Sequence, residues 1–175
     1  ADLKTKLGQV NVNLPDSPAL PFAFAVGDYP EVREPLSAPI QLPLTINGRL
    51  DKPSEIDSYE IAVKGGENFF FELQARELGT SKLTGLIAVY DESGKRLASA
   101  GDGPLPVDVA AVQVSSRTLG DPFLMFQAPE GATKLKVTVE DLAQRGGPNY
   151  AYRLTMRKAV HDVRATIITP FVNIP

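Results

Sequence analysis

The chain has 175 residues, 43% hydrophobic and 22% charged, with a formal net charge of −3 and no cysteine. This is material for one domain with extensions, and its acidic balance argues against nucleic acid or an anionic membrane as partner, since both attract basic surfaces. The missing cysteine excludes disulfides, thiolate metal sites and cysteine nucleophiles, and no apolar run reaches the ~18–20 residues that span a bilayer.

Residues 1–39 are dense in proline, as in Leu14-Pro15-Asp16-Ser17-Pro18, Leu20-Pro21-Phe22, Tyr29-Pro30 and Glu34-Pro35. Each proline removes a backbone donor and holds its predecessor extended. The segment reads as an extended linker, with one strand over Gly8 to Asn13, and as the end of a preceding domain. No basic segment followed by an apolar one opens the chain, so an export signal would have been removed or would lie upstream.

From residue 40 to 157 the pattern changes to period-two alternation, which predicts half-buried strands. Leu44, Ile46 and Gly48 share one face, as do Tyr59, Ile61 and Val63, and then Phe69, Phe71, Leu73 and Ala75. Leu86 to Tyr90 is apolar throughout and predicts a central strand. Leu135, Val137 and Val139 alternate next, followed by Tyr150, Tyr152, Leu154 and Met156. Turn signals separate the runs at Lys64-Gly65-Gly66-Glu67, Asp91 to Lys95, Pro129-Glu130-Gly131 and Gly146-Gly147-Pro148-Asn149, where glycine supplies positive φ and Asp or Ser bonds its own backbone. Val107 to Ser116 fits either an edge strand or a short helical turn. Residues 158–175 restart an alternation at Val163, Ala165 and Ile167, as if a following domain began there. Short strands without amphipathic helices between them predict an all-β, antiparallel sandwich or barrel.

Six pieces within this stretch resemble, in order, the bacterial pre-peptidase C-terminal (PPC) domain family. They are Ile46-Asn47-Gly48-Arg49-Leu50 with Asp57-Ser58-Tyr59 and Lys64-Gly65-Gly66; Phe71 to Gly79; Ala88 to Lys95; Phe126 to Gly131; Asp141-Leu142; and Arg145 to Leu154. The flavour is that of the subgroup in large surface proteins of planctomycete-like bacteria, where a segment similar to Leu20 to Val32 closes a preceding immunoglobulin-like domain. The resemblance implies a jelly-roll-like β-sandwich of about eight strands over 40–157, with extended N- and C-terminal segments. It also implies a secreted, periplasmic or cell-surface setting. Roles implied are assistance in export, tethering to protein or polysaccharide, or plain spacing between neighbouring domains of one polypeptide, and fold does not choose among them.

Some members of that family bind calcium through an acidic linker and aspartates near the second strand. The matching positions here are Glu31 and Glu34 in the linker, with Asp51, Glu55 and Asp57 opposite. Leu36 and Ser37 replace two expected ligands and Arg33 adds a positive charge, while calcium takes six to eight oxygens. The plainer alternative is that these are solvated linker and turn acids, so no cofactor is expected beyond calcium on an incomplete motif. Partner contacts are expected at Asp102, in the long stretch running to Leu119, and at Phe70, Tyr90 and Phe123, aromatics facing outward or covered by the linker. The single histidine, His161, lies in the C-terminal extension, a poor place for a rigid catalytic base. A non-catalytic binding or export module is the leading reading. A pure spacer, and a hydrolase with scattered carboxylates, remain as alternatives.

Overall fold

A computed structural model describes residues 8–12, 22–36, 38–101 and 120–159, of which 8–12, 22–24 and 78 are described for the backbone only. Among the described residues eleven strands run in chain order: β1 (Gly8–Val12), β2 (Phe22–Val26), β3 (Glu31–Arg33), β4 (Leu44–Arg49), β5 (Ile56–Ala62), β6 (Asn68–Gln74), β7 (Gly85–Tyr90), β8 (Arg96–Gly101), β9 (Phe123–Gln127), β10 (Lys134–Asp141) and β11 (Ala151–Lys158). One 3₁₀ turn, Arg76–Leu78, follows β6. None of the described helical segments is long and apolar enough to cross a membrane.

Nine strands form two sheets, β5-β10-β7-β8 and β3-β4-β11-β6-β9, and β1 pairs with β2 in a separate hairpin. The all-β sandwich is therefore as expected, with β7 in an interior position that accounts for its unbroken apolar run. Period-two alternation sends one row of each strand between the sheets. That row holds Ile46, Tyr59, Ile61, Phe69, Phe71, Leu73, Ile87, Val89, Val137, Val139, Leu154 and Met156, all buried. Each such side chain contributes about 1.5–3 kcal/mol on leaving water. The rings of Phe69 and Phe71, two residues apart on one face, lie parallel with centroids 6.1 Å apart.

The linker assigned to residues 1–39 is not wholly outside the sandwich. Its residues Glu31–Arg33 pair in parallel with Thr45–Asn47 and form an edge of the five-stranded sheet. Val32 supplies the reason, packing against the core as the apolar residue between two charged ones. The expected strand at Gly8 to Asn13 is present as β1, whereas residues 102–119 and 160–175, including Val163 to Ile167, lie outside the described residues.

Two aspartates fix the loops at one end. The buried Asp141 carboxylate accepts N–H groups from Thr84 at 2.8 Å, Ala143 at 3.1 Å and Arg145 at 3.0 Å, and the Arg145 Nε at 2.9 Å. Burial pushes its pKa up, but the Arg145 guanidinium and the amides outweigh that and hold it below the usual carboxylate range. Asp121 receives the amides of Ala75, Arg76 and Glu77 and so organises the 3₁₀ turn. The loop after Asp141 then turns against Lys52. A Cβ on Gly146 would stand 2.2 Å from the Lys52 carbonyl oxygen, so only glycine fits.

Candidate functional site

The chemistry-bearing side chains gather where the two sheets open toward residues 30–36. On β5, alternation places Asp57 on the same inward face as Tyr59. On β11, Tyr152 faces inward with Leu154, directly opposite Gly48 on β4. A Cβ on Gly48 would sit 2.5 Å from the Tyr152 Cζ and hydroxyl and 2.6 Å from the Glu34 Oε2. The bare glycine thus lets the tyrosine ring cross the strand, and lets β3 deliver Glu34 to the same spot.

The four groups form one hydrogen-bonded cluster. Tyr59 donates to Glu34 Oε1, Tyr152 donates to Asp57 Oδ2 at 2.5 Å, and the two hydroxyls meet at 2.5 Å. Glu34 Oε2 also accepts the Arg49 amide at 3.1 Å. Burial, reinforced by the facing carboxylates, raises the pKa of both phenols far above their usual range, so they remain donors. Asp57 is pushed up from 3.8 to about 6. Burial is the main cause, opposed by the Tyr152 hydroxyl and helped by Glu34, Glu55 and Asp51. The Tyr152 hydroxyl also lies 3.3 Å from Glu34 Oε1, so two phenolic protons are shared among four O···O contacts.

Of the four residues expected to hold calcium, two are brought together and two are paired elsewhere. Glu34 and Asp57 belong to the cluster, where their oxygens already accept hydroxyl and amide protons. Glu31 is instead paired with Arg153 and accepts the Asn47 amide nitrogen at 3.0 Å. Asp51 is paired with Arg49 at 2.5 Å, and Glu55 accepts the backbone amides of Asp51 and Lys52. Among the described residues no three His, Cys, Asp or Glu side chains converge to hold a metal. Two of the four carboxylates, Glu31 and Asp51, are each paired with an arginine. Beside the cluster lies a shallow cavity of ≈360 Å³, lined by Arg33, Glu34, Gly48, Asp51, Tyr152 and Arg153 among others. Arg153 also borders a second cavity of ≈250 Å³ together with Tyr29, Thr45, Gln74 and Thr155.

The aromatics expected at a partner surface lie apart from this cluster. Phe70 is buried at 9% exposure, covered by the Phe123 ring at 5.9 Å and the Arg157 guanidinium at 4.5 Å rather than offered as a platform. Its outward-facing row on β6 is shielded because β9 is its neighbour, a strand the alternation did not mark. Phe123 remains 38% exposed. Tyr90 is half-buried on the other sheet, with the Lys136 ammonium 5.1 Å from its ring centre. Asp102 and His161 lie outside the described residues.

Sequence reasoning found the acids of the cluster but not its two tyrosines. The signal was available in Asp57-Ser58-Tyr59, since an acid two residues before an inward tyrosine shares its face. Arg153 was missed as well. It bonds Gln74 at 3.0 Å and Glu31, joining β6, β11 and β3 across the outer surface.

No protein-family model matches the chain, and no curated protein does. Among solved structures, the chain is similar to a 1.0 Å crystal structure of the pre-peptidase C-terminal domain of collagenase from Bacillus anthracis. The two share 14% sequence identity with a TM-score of 0.44, over 77% of this chain and 99% of that one.

Proposed function

We propose that the chain is a non-catalytic accessory module of an exported or surface-attached polypeptide, used to hold that polypeptide to an extracellular protein or polysaccharide. The observation that supports this most directly is the employment of its reactive groups. Glu34, Asp57, Tyr59 and Tyr152 bond one another in fastening residues 31–36 to the sandwich. A hydrolase needs an acid and a base that both reach substrate, and here the acid with the raised pKa faces a phenol. The polar cavity beside Arg33, Arg49 and Arg153 is where a polymer with carbonyl or hydroxyl oxygens would be gripped. Insoluble collagen is one such polymer, and cell-wall polysaccharide is another.

The test is co-sedimentation of the full chain with insoluble collagen and with cell-wall polysaccharide, beside turnover assays on peptide and glycoside substrates. Retention on one matrix, weakened by Arg33→Ala, with no turnover, is the expected result. Absence of retention on every matrix would favour a spacer between neighbouring domains, and turnover abolished by Asp57→Asn would overturn the non-catalytic reading.

A further inference from the structure

The outer face of the five-stranded sheet borders two cavities that share a wall. Cross-strand register sets Arg33, Asn47, Arg153 and Gln74 in one row over β3, β4, β11 and β6, and Glu31, Thr45, Thr155 and Glu72 in the next. Arg153 lines the ≈360 Å³ cavity together with Arg33 and Asn47, and the ≈250 Å³ cavity together with Thr45, Thr155 and Glu72. Residues 25–29 wall the second cavity from the other side.

These walls hold polar groups that the fold leaves unmatched. Among the described residues, Arg33 on the first cavity and Glu72 and the Tyr29 hydroxyl on the second have no hydrogen-bond or ion-pair partner. Thr45 and Thr155, 1% and 9% exposed, share one hydrogen bond at 3.0 Å. That bond uses one of two hydroxyl protons, so the other is a buried donor without an acceptor in the wall of the second cavity. A buried donor left in that state costs free energy until something bonds it.

The unmatched charges have opposite signs, which selects among polymers. A polyanion gripped by Arg33 would meet Asp28, Glu72 and Glu77 in the second cavity, and a polycation drawn to those acids would meet Arg33 in the first. A sugar hydroxyl suits both, because it accepts from Arg33 and from the threonine pair and donates to Glu72. A peptide finds less. β4, β11 and β6 are each paired on both sides, so they offer no edge for an added strand, and the apolar side chains of the walls are Ala25, Val26, Ala75 and Ala151.

We propose that the ligand of this module is a neutral polysaccharide, bound as an extended stretch with successive sugar residues in the two cavities that meet at Arg153. This rests on the reading of the chain as a holding module and names the polymer it holds.

The test is an NMR titration of the full chain with cellohexaose, maltohexaose and chitohexaose, with their disaccharides, and with a triple-helical collagen peptide. One hexasaccharide should shift the amides of Asn47, Glu72 and Arg153, and its disaccharide, filling a single cavity, should bind at least about tenfold more weakly. Arg33→Ala and Glu72→Ala should each weaken binding about tenfold or more, while Glu72→Gln, which still accepts from a hydroxyl, should keep most of it. Affinity should be the same at about 0.05 and 0.5 M salt, since a neutral ligand has no charge to screen. Failure of all three hexasaccharides on a chain that an insoluble matrix still retains would overturn this assignment and leave the holding role standing. Failure together with no retention on any matrix would remove both. Equal affinity for disaccharide and hexasaccharide, loss of binding in Glu72→Gln, a steep salt dependence, or a collagen peptide that shifts the same amides would also overturn it.

Discussion

Replacing Asp57 by asparagine should stabilise the protein at neutral pH, against the usual expectation for removing a hydrogen-bonded carboxylate. The folded-state pKa of Asp57 is raised from 3.8 to about 6. A raised pKa means that folding favours the protonated acid. The contribution of this group is complete below pH 3.8 and is lost as pH rises through about 6. The interval corresponds to about 3 kcal/mol at full strength, and screening at a half-buried carboxylate reduces this to about 1–2 kcal/mol. Asparagine keeps the shape, still offers an oxygen to the Tyr152 hydroxyl and carries no charge at any pH. For a chain of this size about 1 kcal/mol moves Tm by roughly 2–4 °C. Calorimetry should therefore show Asp57→Asn melting about 2–8 °C above the parent at pH 7.5, by the same conversion, and level with it at pH 3.5, where the parent acid is already protonated. A lower Tm at pH 7.5, or an equal gain at both pH values, would refute the raised pKa assigned to Asp57.

Other perturbations test the remaining parts of the structure. Gly48→Ala should cost about 1–3 kcal/mol in chemical denaturation, because its Cβ displaces the Tyr152 ring, and pairing it with Tyr152→Ala should recover part of that loss. Gly146→Ala meets the Lys52 carbonyl, which is backbone and cannot rotate aside, so a loss of at least about 1–3 kcal/mol is expected by the same measurement, without such rescue. Asp141→Ala strips the acceptor from three amides and from Arg145, and urea titration should show a loss of about 3 kcal/mol or more. Millimolar calcium should leave Tm where EDTA leaves it, because Glu31 and Asp51 are held by arginines. A rise of several degrees would mean that those pairs open for the ion.

The strands that alternate were legible because each sheet has one buried face, so β4, β5, β6, β10 and β11 carry their orientation in their own residues. β8 (Arg96–Gly101) gave no such sign, since Leu97 is followed by small residues whose pairing with β7 comes from the turn. β3 was read as linker because three residues have no period to count, and its place depends on docking to β4. β9 was overlooked because Phe123 to Phe126 is apolar on both faces, and the burial of Phe70 was lost with it. At the site, residue types were readable but partnerships were not. Tyr59 reaches Tyr152 across 93 positions and Arg153 reaches Glu31 across 122, and no local spacing encodes such distances. Where the acids ended up was decided by arginines and tyrosines that closer segments could not foretell.

The parallel pairing of β3 with β4 has a mechanical consequence. Glu31 lies beside Thr45, and Met156 lies beside Leu44, so the chain enters through β3 and leaves through β11 at the same end of the five-stranded sheet. A load applied between residues 30 and 159 would pull both flanking strands away from β4 starting at that shared end. Ladder bonds would then open one after another instead of bearing the force together, and the Glu34 contacts would be reached only after β3 had been peeled away. Under tension this sheet behaves as a zipper rather than a shear clamp, and single-molecule pulling between those residues should release β3 at low force before the core yields.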